Sequence, residues 1–275
     1  MKQLIAQAVL GTGVAMLAAP ASAGWVTLNN PPTTPVMTAC SNGTSTSDAC
    51  NVGTLSAATS GFSLIASTSG SIVANSVTVG TLYDRVYYNG STGESLFALR
   101  LDMNGNQWDP PSTETFEVND VFRSGFSSVA TIQGGYARAN PADEYSWAIG
   151  RTDEGLNEGT GSGGAPVYDT NWVRWWTDVN VDDPDGSSPG TSAWFVMKFA
   201  DENVVDFEVG TNAIRIWQGG EEGQEEYEIF MNGYVPVFAS ARSAMALAPV
   251  PEPSEYAMLL AGLGLVGVMA RRRMR

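Results

Sequence analysis

The chain has 275 residues, of which 29 are Asp or Glu and 14 are Lys or Arg, giving a net charge of −15. This acidic balance argues against binding to nucleic acid or to anionic lipid. The absence of histidine excludes Ser-His-Asp and Cys-His catalysis and histidine-ligated zinc or iron sites. Because aromatic residues make up 10% of the sequence, we expect a folded domain and not a disordered acidic chain.

The first 23 residues have the three parts of a secretory signal peptide. Lys2 supplies a positive charge, and an uncharged, mostly apolar segment follows over residues 4–17. Ala21-Ser22-Ala23 then forms a small-x-small site, with Ala21 and Ala23 as its small residues, so cleavage is predicted just before Gly24. The alternative is a buried N-terminal helix of the mature domain.

The following segment, residues 24–70, is rich in Ser, Thr, Gly, Asn and Pro and contains the two cysteines of the chain, Cys40 and Cys50. In an exported protein, an even pair of cysteines predicts a disulfide. The alternative is a pair of free thiols in a metal or redox site, for which the sequence supplies no further Cys or His. Two arrangements stay open for this segment: it packs on the domain that follows, or it leads into that domain separately.

Residues 71–248 contain runs of strand-forming residues separated by Gly, Pro, Asn and Asp, which predicts one mainly β domain. Gly134 and Gly135 are read as a turn. The predicted strands are Ser71–Val79, Thr81–Tyr88, Ser95–Met103, Thr115–Arg123, Tyr145–Arg151, Trp172–Val181, Ala193–Ala200, Val204–Val209, Ala213–Gln218 and Glu226–Phe238.

Several of these runs alternate with a period of two. In Ser95–Met103, one face carries Phe97, Leu99, Leu101 and Met103, and in Ala193–Ala200 one face carries Phe195, Met197 and Phe199. This alternation is typical of half-buried antiparallel strands. We therefore predict an antiparallel β-sandwich of jelly-roll-like type, with helices at the two ends of the chain only.

Two loops carry oxygen-bearing side chains at alternating positions, as calcium loops do. The first contains Asp102, Asn104, Asn106 and Asp109, and the second contains Asp178, Asn180, Asp182 and Asp185. Neither loop completes the EF-hand pattern, because the central glycine and the closing glutamate are missing. Asn, Asp and Gly are also common turn formers, so solvated hairpin loops are the alternative to a calcium site. The sequence predicts no cofactor unless one of these loops binds calcium.

The run Trp172-Val173-Arg174-Trp175-Trp176 places Trp172, Arg174 and Trp176 on one face of a strand. An exposed stripe of this kind would suit stacking against sugar rings, whereas buried aromatic residues are common in ordinary cores. The many carboxylates also leave a glycosidase-type pair open, but nothing in the sequence singles out two of them.

The C-terminal end begins with Val250-Pro251-Glu252-Pro253-Ser254. An apolar segment follows over 256–270, which we predict to be a helix that is short for a membrane span of about 30 Å. Arg271, Arg272, Arg273 and Arg275 end the chain, and by the positive-inside rule they hold that end in the cytoplasm.

This order of Pro-Glu-Pro, short apolar helix and terminal arginine cluster resembles the PEP-CTERM sorting signal of Gram-negative bacteria, also known as the ice-binding protein C-terminal. The resemblance covers residues 250–275 only. It implies that an exosortase, an integral-membrane cysteine protease, removes the tail and passes the protein to the cell surface. It implies nothing about the activity of the domain between the two ends.

Three functions follow as hypotheses. The first is an exported, non-enzymatic protein of the cell surface or biofilm matrix, transiently anchored in the membrane and handled by exosortase and the secretion machinery. The second is a lectin-like module that binds carbohydrate, such as exopolysaccharide, with or without calcium. The third is a carboxylate-dependent hydrolase, which needs two acidic side chains about 5–10 Å apart in one cleft.

Overall fold

The computed structural model describes residues 24–29, 36–40, 49–109, 115–154, 166–181, 189–220 and 225–239. Within these ranges the protein is almost entirely β. The strands are β1 (Val26–Asn29), β2 (Met37–Ala39), β3 (Ser63–Ala74), β4 (Val77–Asn89), β5 (Glu94–Met103), β6 (Val118–Arg123), β7 (Thr131–Ala137), β8 (Ala148–Gly150), β9 (Val173–Val179), β10 (Trp194–Ala200), β11 (Val204–Gln218) and β12 (Tyr227–Phe238). A single-turn helix, α1, spans Leu55–Ala58.

The strands form two antiparallel six-stranded sheets. Sheet A has the order β1-β7-β10-β5-β4-β3, and sheet B has the order β12-β11-β6-β9-β8-β2. The prediction of a mainly β fold with antiparallel sheets is thereby confirmed, while the jelly-roll-like order stays a prediction. The helices predicted over residues 1–23 and 256–270 lie outside the described residues.

The main core lies between the two sheets, where apolar side chains of both pack together. The indole of Trp175 on β9 stacks on Phe195 of β10 with 6.0 Å between ring centroids. The predicted inward faces of β5 and β10 are confirmed, since Phe97, Leu99 and Met197 are all buried in this core. The alternating pattern therefore places the core-facing residues correctly.

The opposite face of sheet A is also covered, so its central strands are buried on both sides. Leu96, Ala98 and Val196 form a second apolar cluster. Leu55 of α1 and Phe62 pack against it from the preceding segment. The expectation of half-buried strands is therefore wrong for β5 and β10, because the chain before β3 folds back over them.

The segment 24–70 takes part in both sheets. β1 pairs with β7, β2 pairs with β8, and residue 70 lies inside β3. The predicted disulfide between Cys40 and Cys50 is present, and both cysteines are buried. Backbone pairing thus holds the segment to the sheets, and the disulfide links two parts of the segment to each other.

Three local predictions were wrong for identifiable reasons. The predicted strand Ser71–Val79 is interrupted by a tight turn at Asn75 and Ser76, both of which have positive φ, as a two-residue hairpin turn requires. Gly134 and Gly135 lie within β7 and are not a turn. The predicted break between Val209 and Ala213 is an irregularity in the pairing of β11, which is one long strand.

Candidate functional site

The two predicted calcium loops lie side by side at one end of the sandwich. A Cβ placed on Gly105 in the first loop would lie 3.6 Å from the side chain of Val181, which follows β9. The chain entering β10 joins them, because Met103 donates its backbone N–H to the carbonyl of Gly190 at 2.7 Å. Residues far apart in sequence are thus collected into one surface region.

Side chains of the first loop form hydrogen bonds to other parts of the protein. The Asn104 and Asn106 amide nitrogens both donate to the carbonyl of Thr78, at 3.1 and 2.8 Å. The carboxylate of Asp102 accepts from the Thr191 hydroxyl at 2.9 Å. Asp109 lies at the end of the described range and is partly exposed. These bonds fasten the loop to β4 and to the segment before β10.

The second loop is described only in part. Asn180 is buried and its side-chain oxygen accepts a hydrogen bond from the Thr115 hydroxyl. Asp182 and Asp185 lie outside the described residues. Among the residues that are described, no group of three or more acidic or cysteine side chains is arranged to hold a metal ion. Calcium binding at the two loops stays a prediction.

Glu144 lies beside these loops and was not predicted from the sequence. Its backbone N–H donates to the carbonyl of Thr191 at 2.9 Å, and its own carbonyl accepts from Ala193 at 2.6 Å. This pairing places Glu144 beside the chain segment that enters β10. No sequence signal marks Glu144, because its position depends on how the connection between β7 and β8 folds.

The carboxyl group of Glu144 is almost completely buried, and burial raises its pKa to about 7. The indole N–H of Trp147 donates to this carboxyl at 3.1 Å and opposes the rise, while the charge of Asp178 adds to it. Arg138 lowers the pKa by a smaller amount. Near neutral pH the carboxyl therefore exchanges between its protonated and ionised forms.

A row of aromatic rings runs from the core to the surface beside Glu144. Tyr145 stacks on Trp147 with 5.9 Å between centroids and an interplanar angle of 6°. Trp147 contacts Trp176 at 5.7 Å and is 37% exposed. The guanidinium of Arg138 lies 4.6 Å from the centre of the Tyr145 ring. We call Glu144, Tyr145, Trp147 and Trp176 the aromatic–acid cluster.

The predicted Trp and Arg stripe on β9 contributes to this cluster only through Trp176. Arg174 is buried and forms two hydrogen bonds to the carboxylate of Asp120, at 2.5 and 2.8 Å. Trp172 packs edge-on against Phe122, with 6.4 Å between centroids. The stripe as a whole is therefore part of the packing of sheet B and not an exposed binding face.

The predicted processing sites lie outside the described residues. They comprise Ala21 and Ala23, the motif Val250-Pro251-Glu252-Pro253-Ser254, and the arginines Arg271, Arg272, Arg273 and Arg275. In the part of the chain that the structure describes, no helix has the length and apolar character that crossing a membrane requires.

Comparison with known proteins identifies the tail. The family model of the PEP-CTERM protein-sorting motif matches residues 249–273. No curated protein matches the chain, and no solved structure matches it. The chain therefore carries a PEP-CTERM sorting motif, as its resemblance predicted, and the motif supports export of the protein and its processing by an exosortase.

Proposed function

We propose that this is a non-catalytic protein of the cell surface or extracellular matrix, with a structural or adhesive role, which an exosortase releases from its C-terminal tail. The observation that carries the proposal is the PEP-CTERM motif at residues 249–273. The absence of histidine supports the non-catalytic part, since it removes the commonest general base of hydrolytic enzymes.

The tail explains a transient membrane stage. In this proposal the apolar segment 256–270 enters the inner membrane, and the four terminal arginines remain on the cytoplasmic side. The folded domain then lies outside, as the predicted signal peptide also requires. Because the segment is short for a permanent span, cleavage beside Pro251 and Pro253 frees the domain for transfer to the surface.

Intact mass spectrometry of the protein recovered from the surface and medium of its own host tests this route. We expect a mass that lacks residues 1–23 and the tail beyond about Val250. A control strain without exosortase activity should retain the tail. If the tail is still attached in the normal host, the exosortase step is wrong, and the protein is a membrane-anchored ectodomain.

The aromatic–acid cluster favours carbohydrate binding as a second candidate function. An exposed indole next to hydrogen-bonding carboxylates can stack on a sugar ring and bind its hydroxyl groups. Trp147 provides the partly exposed ring, which the buried carboxyl of Glu144 holds by a hydrogen bond, and Asp178 is the partly exposed acid near Glu144. The adhesive role would then be exercised through the exopolysaccharide of the host.

Binding of the protein to purified host exopolysaccharide tests this second function. We expect Trp147→Ala to weaken binding by about tenfold, since it removes the stacking surface. Tyr88→Ala is the matched control, because Tyr88 is an exposed aromatic residue outside the cluster. Equal binding by both variants contradicts the assignment. Release of new reducing ends from the polysaccharide would show that the protein cleaves glycosidic bonds. If this release is absent with Glu144→Gln, the non-catalytic part of the proposal is wrong.

A further inference from the structure

Among the residues that the structure describes, the two sheets have four edge strands, and three of them have features that hinder pairing with another chain. β1 and β2 have only four and three residues. β12 is long, but it carries Glu228 and Pro236. Short length, charge and proline are the usual features that prevent edge-to-edge association, because they limit the hydrogen bonds that an incoming strand can form.

β3 is long and lacks both charge and proline, and its pairing with β4 is irregular at one of its own residues, Ile65 near the start of the strand. It extends over twelve residues, Ser63–Ala74, without proline and without charge. In the described part of the chain it pairs with β4 on one side, and no strand lies on its other side. Leu64 and Ile65 are 53% and 48% exposed. At about 3.4 Å per residue this is an edge of roughly 40 Å with unpaired backbone groups.

A cleft beside the middle of β3 keeps the edge accessible. It has a volume of about 460 Å³ and opens between β3 and the end strands of sheet B. Thr68 and Gly70 line it from β3, and Val209 and Phe230 line it from the other sheet. Both of these apolar side chains are exposed. An incoming strand would therefore find apolar surface next to the backbone groups.

The distribution of charge indicates what pairs with this edge. The chain has a net charge of −15, so two copies repel each other over most of their surfaces. Residues 49–83, which include all of β3, contain no Asp, Glu, Lys or Arg. A second copy of the chain can therefore approach at β3 with less repulsion than elsewhere. Antiparallel pairing of a strand with itself also has two-fold symmetry, which closes a dimer.

We propose that β3 is a self-association edge, at which two copies of the protein pair β3 to β3 and join their A sheets into one continuous sheet. This interaction goes beyond the proposed surface role and does not depend on the tail or on the aromatic–acid cluster. It supplies the domain with a way to assemble that needs no second component.

Sedimentation velocity of the mature protein, in the form that the host releases, tests the proposal over about two decades of concentration. We expect reversible dimers for the natural sequence. Ser67→Glu should raise the dimer dissociation constant by about tenfold or more, because it places like charges at the joint edge. Ser67 lies opposite Arg85 on β4, so the new carboxylate is compatible with its own sheet.

Ser128→Glu is the matched control, since Ser128 is an exposed serine in the connection between β6 and β7 and the substitution adds the same charge. We expect it to dimerise like the natural sequence. A monomer at every concentration, or an equal loss of dimer in both variants, would overturn the proposal.

Hydrogen exchange provides a second measurement that needs no variant. Backbone amides of residues 63–74 should become protected as concentration rises, while those of β12 should not. Dimers that protect another region but leave β3 unchanged contradict the assignment. Loss of the tail is read from the mass, and polysaccharide binding is read from the Trp147→Ala variant, and neither test changes β3. Failure of this proposal is therefore distinguishable from failure of the proposed function.

Discussion

Asp84 and Arg123 form an ion pair between the two sheets, and both side chains are buried. The second oxygen of Asp84 accepts the backbone N–H of Tyr234 at 2.8 Å, and Arg123 donates to the carbonyl of the same residue. The pair thus connects β4, β6 and β12, because Asp84 and Arg123 bond to each other and both bond to the backbone of Tyr234. Removing one partner leaves an uncompensated charge in the core.

We therefore expect Asp84→Ala to lower the free energy of unfolding by about 3–5 kcal/mol, measured by urea denaturation. Glu94→Ala is the control, because it breaks the partly exposed pair with Lys198, whose atoms are 3.1 Å apart. That change should cost less than about 1 kcal/mol. A similar loss in both variants would show that the Asp84 pair does not stabilise the contact between the sheets.

Glu144 gives the protein a dependence of stability on pH that has the opposite sign from an ordinary salt-bridged carboxylate. Its pKa is raised from 4.5 to about 7 in the folded state, mainly by burial. Between these values the folded protein binds more protons than the unfolded chain, so stability falls as the pH rises from about 4.5 to 7. The stabilisation that comes from protonated Glu144 is fully present below pH 4.5 and is lost as the pH rises through about 7.

Replacing Glu144 by Gln should remove this contribution, which amounts to about 3 kcal/mol across the window. The measurement is the free energy of unfolding at several pH values, with Glu94→Gln as a carboxylate control. If Glu144→Gln retains the full decline between pH 4.5 and 7, another group is responsible for it.

At the scale of the element, β7 depends on the absence of side chains at two adjacent positions. A Cβ on Gly135 would lie 2.7 Å from the backbone carbonyl of Cys50, which is hydrogen-bonded to Tyr136. The carbonyl cannot move away without breaking that bond. A Cβ on Gly134 would meet the end of the Ile149 side chain on the other face, which can move aside more easily than a backbone carbonyl.

Gly135→Ala should therefore destabilise the protein by about 1–3 kcal/mol in thermal or urea unfolding, as overpacking does. Gly90→Ala is the control, because the nearest atom to its added methyl is a Tyr88 ring carbon at 3.9 Å. We expect that control to change stability by no more than about 0.5 kcal/mol. Equal effects would mean that β7 and the disulfide segment are not closely packed.

The sequence predicts elements well where the signal is contained in one strand. In β5 and β10 every second residue on one face is a large apolar side chain such as Phe97 or Phe195, so the inward faces could be assigned from the sequence. The disulfide was predictable because the chain has only Cys40 and Cys50. Strand order was not predictable, because it depends on pairings such as Val26 with Gly134, which no local pattern records.

The candidate site was less predictable than the fold. The two acidic loops could be identified from Asp and Asn residues at alternating positions. That the loops lie next to each other could not, because it depends on the approach of Gly105 to Val181 in the folded chain. Glu144 was missed because one acidic residue among 29 has no distinguishing neighbour in the sequence. Its raised pKa arises mainly from burial, with a smaller contribution from the charge of Asp178, which only the folded chain brings near.

At the scale of the whole molecule, the net charge of −15 opposes the compact state. Dissolved salt screens this repulsion, so we expect the melting temperature of the protein to rise when the NaCl concentration is raised from a low value to the physiological level.

Calcium chloride at the same ionic strength distinguishes screening of the acidic surface from binding of calcium. If the two acidic loops bind calcium, the rise with calcium chloride exceeds that with NaCl, and Asp178→Asn reduces the excess. Equal rises with the two salts contradict a calcium site, and screening of the acidic surface is then the whole effect.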